Sequence, residues 1–192
     1  MTTGLVLLTG GSSRRFGAPK HLQRHPDGGS WAGHLIRVFR EILGEGPVRI
    51  LGPGAPDFPE CAALPDEGAG PARALTGWAS GEGESRLRWW IVPCDQVGWT
   101  LAQLAAWHQA AGAADPDGGA WVAAVQGGCA QPLGGFLGGS LLPLLGAAEE
   151  VRMRFLWEQL PHIGIPWEGD AFADVDDPEG WEAWRSGRIK GG

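Results

Sequence analysis

Short apolar runs alternate with segments of helical periodicity along this chain of 192 residues. A short, continuous apolar run bounded by turn residues is typical of a buried strand. The runs predict strands at 5–8, 48–51, 89–92, 121–125, 134–137 and 172–175.

The segments between these runs show the period of an amphipathic helix. The clearest helix begins after Ser30 and ends at Gly44, with apolar residues at 31, 35, 38, 39, 42 and 43. Similar patterns predict helices at 72–79, 101–108, 141–145, 151–160 and 178–184. Strand–helix alternation without a linker predicts a single α/β domain over residues 1–192. We expect three layers, a mostly parallel, doubly wound sheet, and ligands at the carboxyl ends of its strands.

Composition narrows the functional classes. The net charge of −7 argues against nucleic acid as a partner. No apolar run approaches the roughly 20 residues that span a bilayer, and no basic segment precedes Leu5, so neither a membrane protein nor a signal peptide is predicted. Cys61, Cys94 and Cys129 form no Cys-x-x-Cys pair, which favours reduced thiols in a cytoplasmic protein.

The loop after the first strand carries the most informative residues. Gly10 and Gly11 follow the apolar run directly and let the backbone turn and present its N–H groups to an anion. Arg15 and Lys20 add positive charge suited to a triphosphate and to its pyrophosphate product. The spacing fits neither the Walker loop nor the dinucleotide fingerprint. From the glycines alone, an ordinary strand–turn–helix with incidental basic residues is about equally compatible.

The strand at 89–92 ends in Pro93-Cys94-Asp95. A carboxylate at the carboxyl end of a central strand is a natural Mg²⁺ ligand, although the same residue could cap the next helix. Cys94 lacks a histidine motif that would activate it, so we interpret it as a small residue packing the turn.

Several segments together resemble the nucleotidylyltransferases that build the guanine dinucleotide form of the molybdenum cofactor. The first loop matches in the spacing of its two glycines, Ser13, Arg15, Gly17 and Lys20. Further matches occur, in the same order as in that family, at 65–71, 93–95, 131–136, 151–156 and 174–179.

The resemblance implies a Rossmann-like nucleotidyltransferase that transfers GMP from GTP to molybdopterin with Mg²⁺ and releases pyrophosphate. The catalytic residues that it implies are Arg15, Lys20 and Asp95, with Asp95 as the Mg²⁺ ligand. The implied nucleotide-binding residues are Leu8, Thr9, Gly10, Gly11, Ser12, Ser13, Lys20, Asp66, Gly70 and Pro71. The implied acceptor-binding residues are Gln131, Pro132, Arg152, Arg154 and Asp174.

Two departures leave alternatives open. The family usually has Gly-Pro-Leu-x-Gly, whereas Gly77 comes later after Pro71 here, and aspartates at 174, 176 and 177 replace two asparagines and a threonine. A cytidylyl- or sugar-phosphate nucleotidylyltransferase would share the first loop and Asp95. The remaining alternative is a non-catalytic protein that binds nucleotide and docks on a molybdoenzyme or its chaperone.

Overall fold

A single sheet forms the centre of the protein. The computed structural model describes residues 1–11, 16–65, 70–82, 85–149 and 152–186, and within these ranges the sheet has seven strands in the order β3-β2-β1-β4-β6-β5-β7. The strands are β1 (Thr3–Leu8), β2 (Val48–Leu51), β3 (Ala62–Leu64), β4 (Arg88–Pro93), β5 (Trp121–Gln126), β6 (Cys129–Gly138) and β7 (His162–Pro166). Only β6 runs antiparallel to its neighbours β4 and β5 among these described strands; every other pairing is parallel.

Six α-helices lie between or after the described strands. They are α1 (Trp31–Leu43), α2 (Pro71–Gly81), α3 (Leu101–Ala114), α4 (Leu142–Gly146), α5 (Met153–Gln159) and α6 (Pro178–Arg185). The Ser30 hydroxyl accepts from the Gly33 N–H and so caps α1, while Gly44, at a φ of 83°, ends it as the sequence predicts. A capping box of Thr100 and Gln103 starts α3. None of the described helices is long and apolar enough to cross a membrane.

Helices cover both faces of the sheet, so the three predicted layers are confirmed. Successive strand residues point to opposite faces. Leu5 and Leu7 of β1 therefore pack in the cluster with α1 and α3, while Val6 and Leu8 pack in the cluster with α2, α4 and α5. The alternation explains why this central strand is apolar at four successive positions.

The predicted strand at 172–175 is wrong. Phe172 and Val175 are buried, but Phe172 packs edge-on against Trp99, and the Val175 N–H donates to the carbonyl of Asp95 instead of joining a ladder. The last strand is β7, which the pattern missed because its residues are all at least partly exposed and form no apolar run. The edge strand β3 was missed because it has only three residues, which are apolar but all at least partly exposed. The other predicted strands and helices are confirmed, and α5 is described from Met153 onwards.

A bulge in β6 is held by tryptophan side chains. The pairing of β5 with β6 shifts register between Val122 and Ala124, which leaves carbonyl groups outside the ladder. The Gly134 carbonyl accepts hydrogen bonds from the indole N–H groups of both Trp90, at 3.0 Å, and Trp107, at 2.9 Å. Buried indoles thus satisfy a buried carbonyl, and the bulged segment is fixed beside the carboxyl end of β4.

Candidate active site

A cleft with a volume of about 310 Å³ opens at the carboxyl ends of β1 and β4. Its position follows from the topology. The chain proceeds from β1 outward to β2 and β3, and then crosses to the other side of β1 to form β4, so the strand order reverses between β1 and β4. Ligands of doubly wound sheets bind at such a point. The residues that line the cleft are Leu8, Gly10, Gly11, Lys20, Leu51, Gly70, Pro71, Ala74, Pro93, Cys94, Asp95, Leu133 and Asp174.

The loop after β1 is anchored to β2. The N–H groups of Thr9 and Gly10 both donate to the Leu51 carbonyl, at 3.0 and 3.2 Å, and the Thr9 hydroxyl donates to the Pro53 carbonyl at 2.6 Å. Gly11 then turns with a φ of 122°, a conformation that favours glycine. The Gly10 N–H already donates to the Leu51 carbonyl. An anion would therefore accept from N–H groups later in the loop, or would have to replace the Leu51 carbonyl as the acceptor of the Gly10 N–H.

Lys20 lies at the centre of the cleft's charge. It begins a short 3₁₀ turn (Lys20–Leu22), and its Nζ is 3.0 Å from Asp95 Oδ2 and 3.0 Å from Asp176 Oδ1. The Lys20 side chain is only 11% exposed. Burial acts to lower the pKa of Lys20, but attraction to Asp95 and Asp176 outweighs it and leaves the pKa raised. The ammonium is therefore fixed and fully charged at neutral pH.

Carboxylates surround this ammonium. Asp95 follows β4, and Asp174 reaches the same cleft from the loop before α6. Desolvation in the cleft, and then the charge of Asp95, raise the pKa of Asp174 to about 6, although the residue keeps substantial exposure to solvent. Carboxylate oxygens are the ligands that Mg²⁺ and Mn²⁺ prefer, so Asp95, Asp174 and Asp176 supply donors of the right type, with Lys20 lying between Asp95 and Asp176 in this structure.

The amino end of α2 forms another wall. Gly70, at a φ of 91°, and Pro71 begin the helix, and both line the cleft with Ala74. The first N–H groups of a helix lack intrahelical partners and carry partial positive charge, which suits a phosphate. Proline at the first position costs the helix no hydrogen bond, because the N–H that proline lacks has no intrahelical partner at this position.

Cys94 is a buried thiol beside the cleft. The thiol is buried at the turn after β4, and burial raises its pKa far above the usual range, so the thiolate is not populated at neutral pH. This agrees with the sequence interpretation of a packing residue.

The cleft unites many of the predicted residues, although their roles stay predictions. It brings together Leu8, Gly10, Gly11, Lys20, Gly70, Pro71, Asp95 and Asp174. Thr9 is buried beneath the loop and supports it. Ser12, Ser13, Arg15 and Asp66 lie outside the described residues.

The other predicted acceptor-binding residues do not line this cleft. Gln131 pairs with β5, and the Pro132 carbonyl accepts from the Trp121 indole at 3.2 Å. Arg152 lies over the Phe155 ring, and Arg154 pairs with Glu158 at 2.9 Å on the exposed side of α5.

Six residues of the site were not among the predicted site residues: Leu51, Ala74, Pro93, Cys94, Leu133 and Asp176, of which the last four lie in segments that match the family. Leu51 ends β2 at the same sheet edge, and Leu133 stands next to the predicted Gln131-Pro132 pair, so position along the chain could have indicated both. Ala74 lies one turn after Gly70. The contact of Asp176 with Lys20 spans 156 positions, so the matched segment 174–179 indicated a place near the site but not this partner.

Solved structures share this architecture over nearly the whole chain. The structure of Rv0371c from Mycobacterium tuberculosis H37Rv superposes with a TM-score of 0.71 at 15% identity, covering 97% of this chain and 99% of that one. Molybdopterin-guanine dinucleotide biosynthesis protein A from Archaeoglobus fulgidus gives 0.66 at 14% identity, with 97% of each chain covered. The 2-C-methyl-D-erythritol 4-phosphate cytidylyltransferase from Thermus thermophilus gives 0.62 at 14% identity, covering 96% of this chain and 98% of that one.

These identities establish the fold and not a substrate. No curated protein sequence is significantly similar to the chain. The family model of the MobA-like NTP transferase domain matches residues 5–163. That span includes the first loop, Lys20, the start of α2 and Asp95. The chain therefore belongs to the MobA-like NTP transferase family.

Proposed function

We propose that this nucleotidyltransferase transfers GMP from GTP to the phosphate of molybdopterin and releases pyrophosphate, with Mg²⁺ as cofactor. The observation that carries the proposal is the ammonium of Lys20, held at 3.0 Å by Asp95 and by Asp176 beside Asp174. A fixed cation next to a cluster of carboxylates suits a triphosphate that arrives with a divalent metal.

In the proposed reaction, an oxygen of the acceptor phosphate attacks the α-phosphorus of GTP in line. The new P–O bond forms as the bond to the bridging α–β oxygen breaks, and pyrophosphate leaves. Such a step needs positioning and charge neutralisation more than a side-chain nucleophile. Lys20 would exchange a carboxylate contact for oxygens of the β- and γ-phosphates, and Arg15 would assist. The N–H groups at the start of α2 would bind a further phosphate oxygen.

Asp95 would hold the Mg²⁺, with Asp174 and Asp176 as its nearest carboxylate partners. The ion would neutralise phosphate oxygens at the reacting centre. Hard oxygen donors do not distinguish strongly between Mg²⁺ and Mn²⁺. A structure of Rv0371c has been solved in complex with manganese, with a TM-score of 0.61 to this chain at 14% identity, covering 96% of each chain.

Guanine and molybdopterin are the finer part of the proposal. Support comes from the ordered motif matches and from the similarity to the Archaeoglobus protein. A second hollow of about 530 Å³ adjoins the cleft through Leu51 and Ala74 and gives room for a base beside the triphosphate. The similarity to the Thermus cytidylyltransferase keeps cytidylyl transfer as the competing candidate. We also propose a cytoplasmic location and delivery of the product to a molybdoenzyme or its chaperone.

The test is pyrophosphate release with Mg²⁺, molybdate-loaded molybdopterin and each of the four nucleoside triphosphates in turn. Release of pyrophosphate with GTP alone supports the full proposal. Release with CTP would instead identify the enzyme as a cytidylyltransferase. Asp95→Asn serves as the inactive control, since it keeps the size of the side chain and removes its charge. No release with any nucleotide, while a nucleotide still binds, would indicate a different acceptor or a binding protein.

A further inference from the structure

A cluster of metal-ligating side chains lies outside the cleft, between the 3₁₀ turn that carries Lys20 and helix α1. His25 and Asp27 belong to the connecting segment, and His34 belongs to the first turns of α1. One ligand atom from each of these three residues lies within 4.8 Å of the other two. Both histidines are buried, whereas 71% of the Asp27 side chain is exposed. The proposed nucleotidyl transfer uses none of them.

Hydrogen bonds fix which imidazole nitrogens carry protons. The Nε2 of His34 lies 2.9 Å from the Trp99 carbonyl, which can only accept, so Nε2 carries the proton and Nδ1 has a lone pair. The backbone N–H of Asp27 donates to Nδ1 of His25 at 3.2 Å, so this Nδ1 is also unprotonated. Burial lowers the pKa of both imidazoles from the usual value.

The Nδ1 atoms of His25 and His34 both lie near the Asp27 carboxylate, although the lone pair of the former accepts from the Asp27 N–H. The Asp27 Oδ2 lies 3.6 Å from Nδ1 of His25 and 3.8 Å from Nδ1 of His34. In a tetrahedral zinc site, bonds of 2.0–2.1 Å place neighbouring ligand atoms about 3.3 Å apart. Both separations are within about half an ångström of that spacing. A histidine ligand usually donates its second ring N–H to a carbonyl, as His34 does to Trp99.

We propose that His25, Asp27 and His34 form a binding site for Zn²⁺, with the exposed side of Asp27 leaving the fourth position to water. Two imidazoles and one carboxylate are a common zinc ligand set and differ from the all-oxygen set in the cleft. The nearby guanidinium of Arg37 donates to the Gly28 carbonyl and lies beside Asp57, but its charge reaches both histidines, so zinc would bind against this positive charge.

Metal binding must open the histidine pair. In the structure the two rings are stacked, with centroids 3.6 Å apart and planes 15° from parallel. The lone pairs lie in the ring planes, so two imidazoles on one tetrahedral ion stand with their centroids about 5 Å apart. The Asp27 N–H would also lose its bond to Nδ1 of His25. Stacking and one such hydrogen bond are weak compared with a set of zinc–ligand bonds, so the rearrangement favours the bound state.

The site would fasten the segment that carries Lys20. His25 is five positions after Lys20, and its ring also approaches Trp181 and Trp184 of α6, at 6.3 and 5.4 Å. A zinc ion would tie this segment to α1 by bonds in addition to these aromatic contacts. The inference does not depend on the proposed reaction, and it can be tested without any nucleotide.

The experiment is a Zn²⁺ titration of chelator-treated protein in excess Mg²⁺, which is added to compete with Zn²⁺ for the carboxylates of the cleft. Calorimetry measures affinity, and long-range ¹H–¹⁵N spectra of ¹⁵N-histidine protein follow each of the five imidazoles. We expect one equivalent to bind, with large shifts at Nδ1 of His25 and His34 and none at His21, His108 or His162.

Two matched variants complete the test. Asp27→Asn removes an exposed carboxylate and should weaken zinc binding at least about tenfold, with an unchanged circular dichroism spectrum. Asp117→Asn makes the same change at an exposed position in the turn before β5 and should bind like the wild type. Equal affinity of wild type and Asp27→Asn, absence of binding, or shifts confined to the other histidines would overturn the proposal.

Discussion

Replacing Lys20 with methionine separates the charge of this side chain from its shape. The methionine can fill the buried channel of the lysine stem but cannot contact phosphate. Loss of one preorganised donor to a transition-state oxygen typically lowers turnover about 10²–10³-fold, or roughly 3–4 kcal/mol. We expect an effect of this size because Asp95 and Asp176 hold the ammonium in place before substrate arrives.

The same substitution should change the response to metal. Without the ammonium, Asp95, Asp174 and Asp176 lose their compensating charge. Lys20 is mostly buried, but Asp176 is 60% exposed and screened by solvent, so we expect a loss of only about 1–2 kcal/mol in the free energy of unfolding. Mg²⁺ should then raise the melting temperature more in Lys20→Met than in wild type.

Pyrophosphate release and thermal melting with and without Mg²⁺ measure both effects. Arg40→Met is the control, since it breaks a surface ion pair with Glu60 away from the cleft. A Lys20→Met protein that keeps turnover within about threefold of wild type would refute the role of the ammonium. Equal Mg²⁺ shifts in both proteins would refute the electrostatic reasoning.

Two further predictions concern stability. Asp174→Asn should stabilise the metal-free protein by about 1–2 kcal/mol above pH 6, after allowance for solvent screening, and have little effect below pH 4. The folded pKa of about 6 exceeds the unfolded value, so the folded state loses stability as the carboxyl ionises between these pH values. Urea unfolding of wild type and Asp174→Asn at both pH values measures the difference in their free energies of unfolding. A difference that does not change with pH would contradict the prediction. Trp107→Phe should be less stable than Trp99→Phe by roughly 2 kcal/mol, because Trp107 loses its bond to Gly134 whereas the buried N–H of Trp99 has no partner among the described residues. Equal unfolding free energies of these two variants would contradict that reasoning.

The central part of the fold is predictable because burial leaves a continuous signal. Strand β1 is covered on both faces, so its last four residues are all apolar and the glycines that follow mark its end. The edge strand β7 has no such signal, since its pairing with β5 depends on backbone hydrogen bonds that the side chains do not reveal. Phe172 and Val175 led to the wrong prediction of a strand, because a buried loop and a buried strand both contain large apolar residues.

Only those site residues that directly follow the central strands can be predicted from the sequence. Lys20 and Asp95 follow adjacent strands, so their convergence could be deduced from the topology of the fold. The position of Asp176 depends on how the loop before α6 returns across the cleft, and no local pattern encodes that path. Arg152 and Arg154 match the family motif but lie outside the cleft, against Phe155 and Glu158, so their predicted role in acceptor binding stays a prediction.

The shared carbonyl of Gly134 makes the cleft wall observable by hydrogen exchange. Both lone pairs of this oxygen are taken by indole N–H groups of fully buried rings. Those two protons can exchange with solvent only when the bulged part of β6 separates from β4 and α3. Their exchange rates therefore report the opening of the wall that carries Leu133, on a timescale of minutes to hours, from side chains rather than from the backbone.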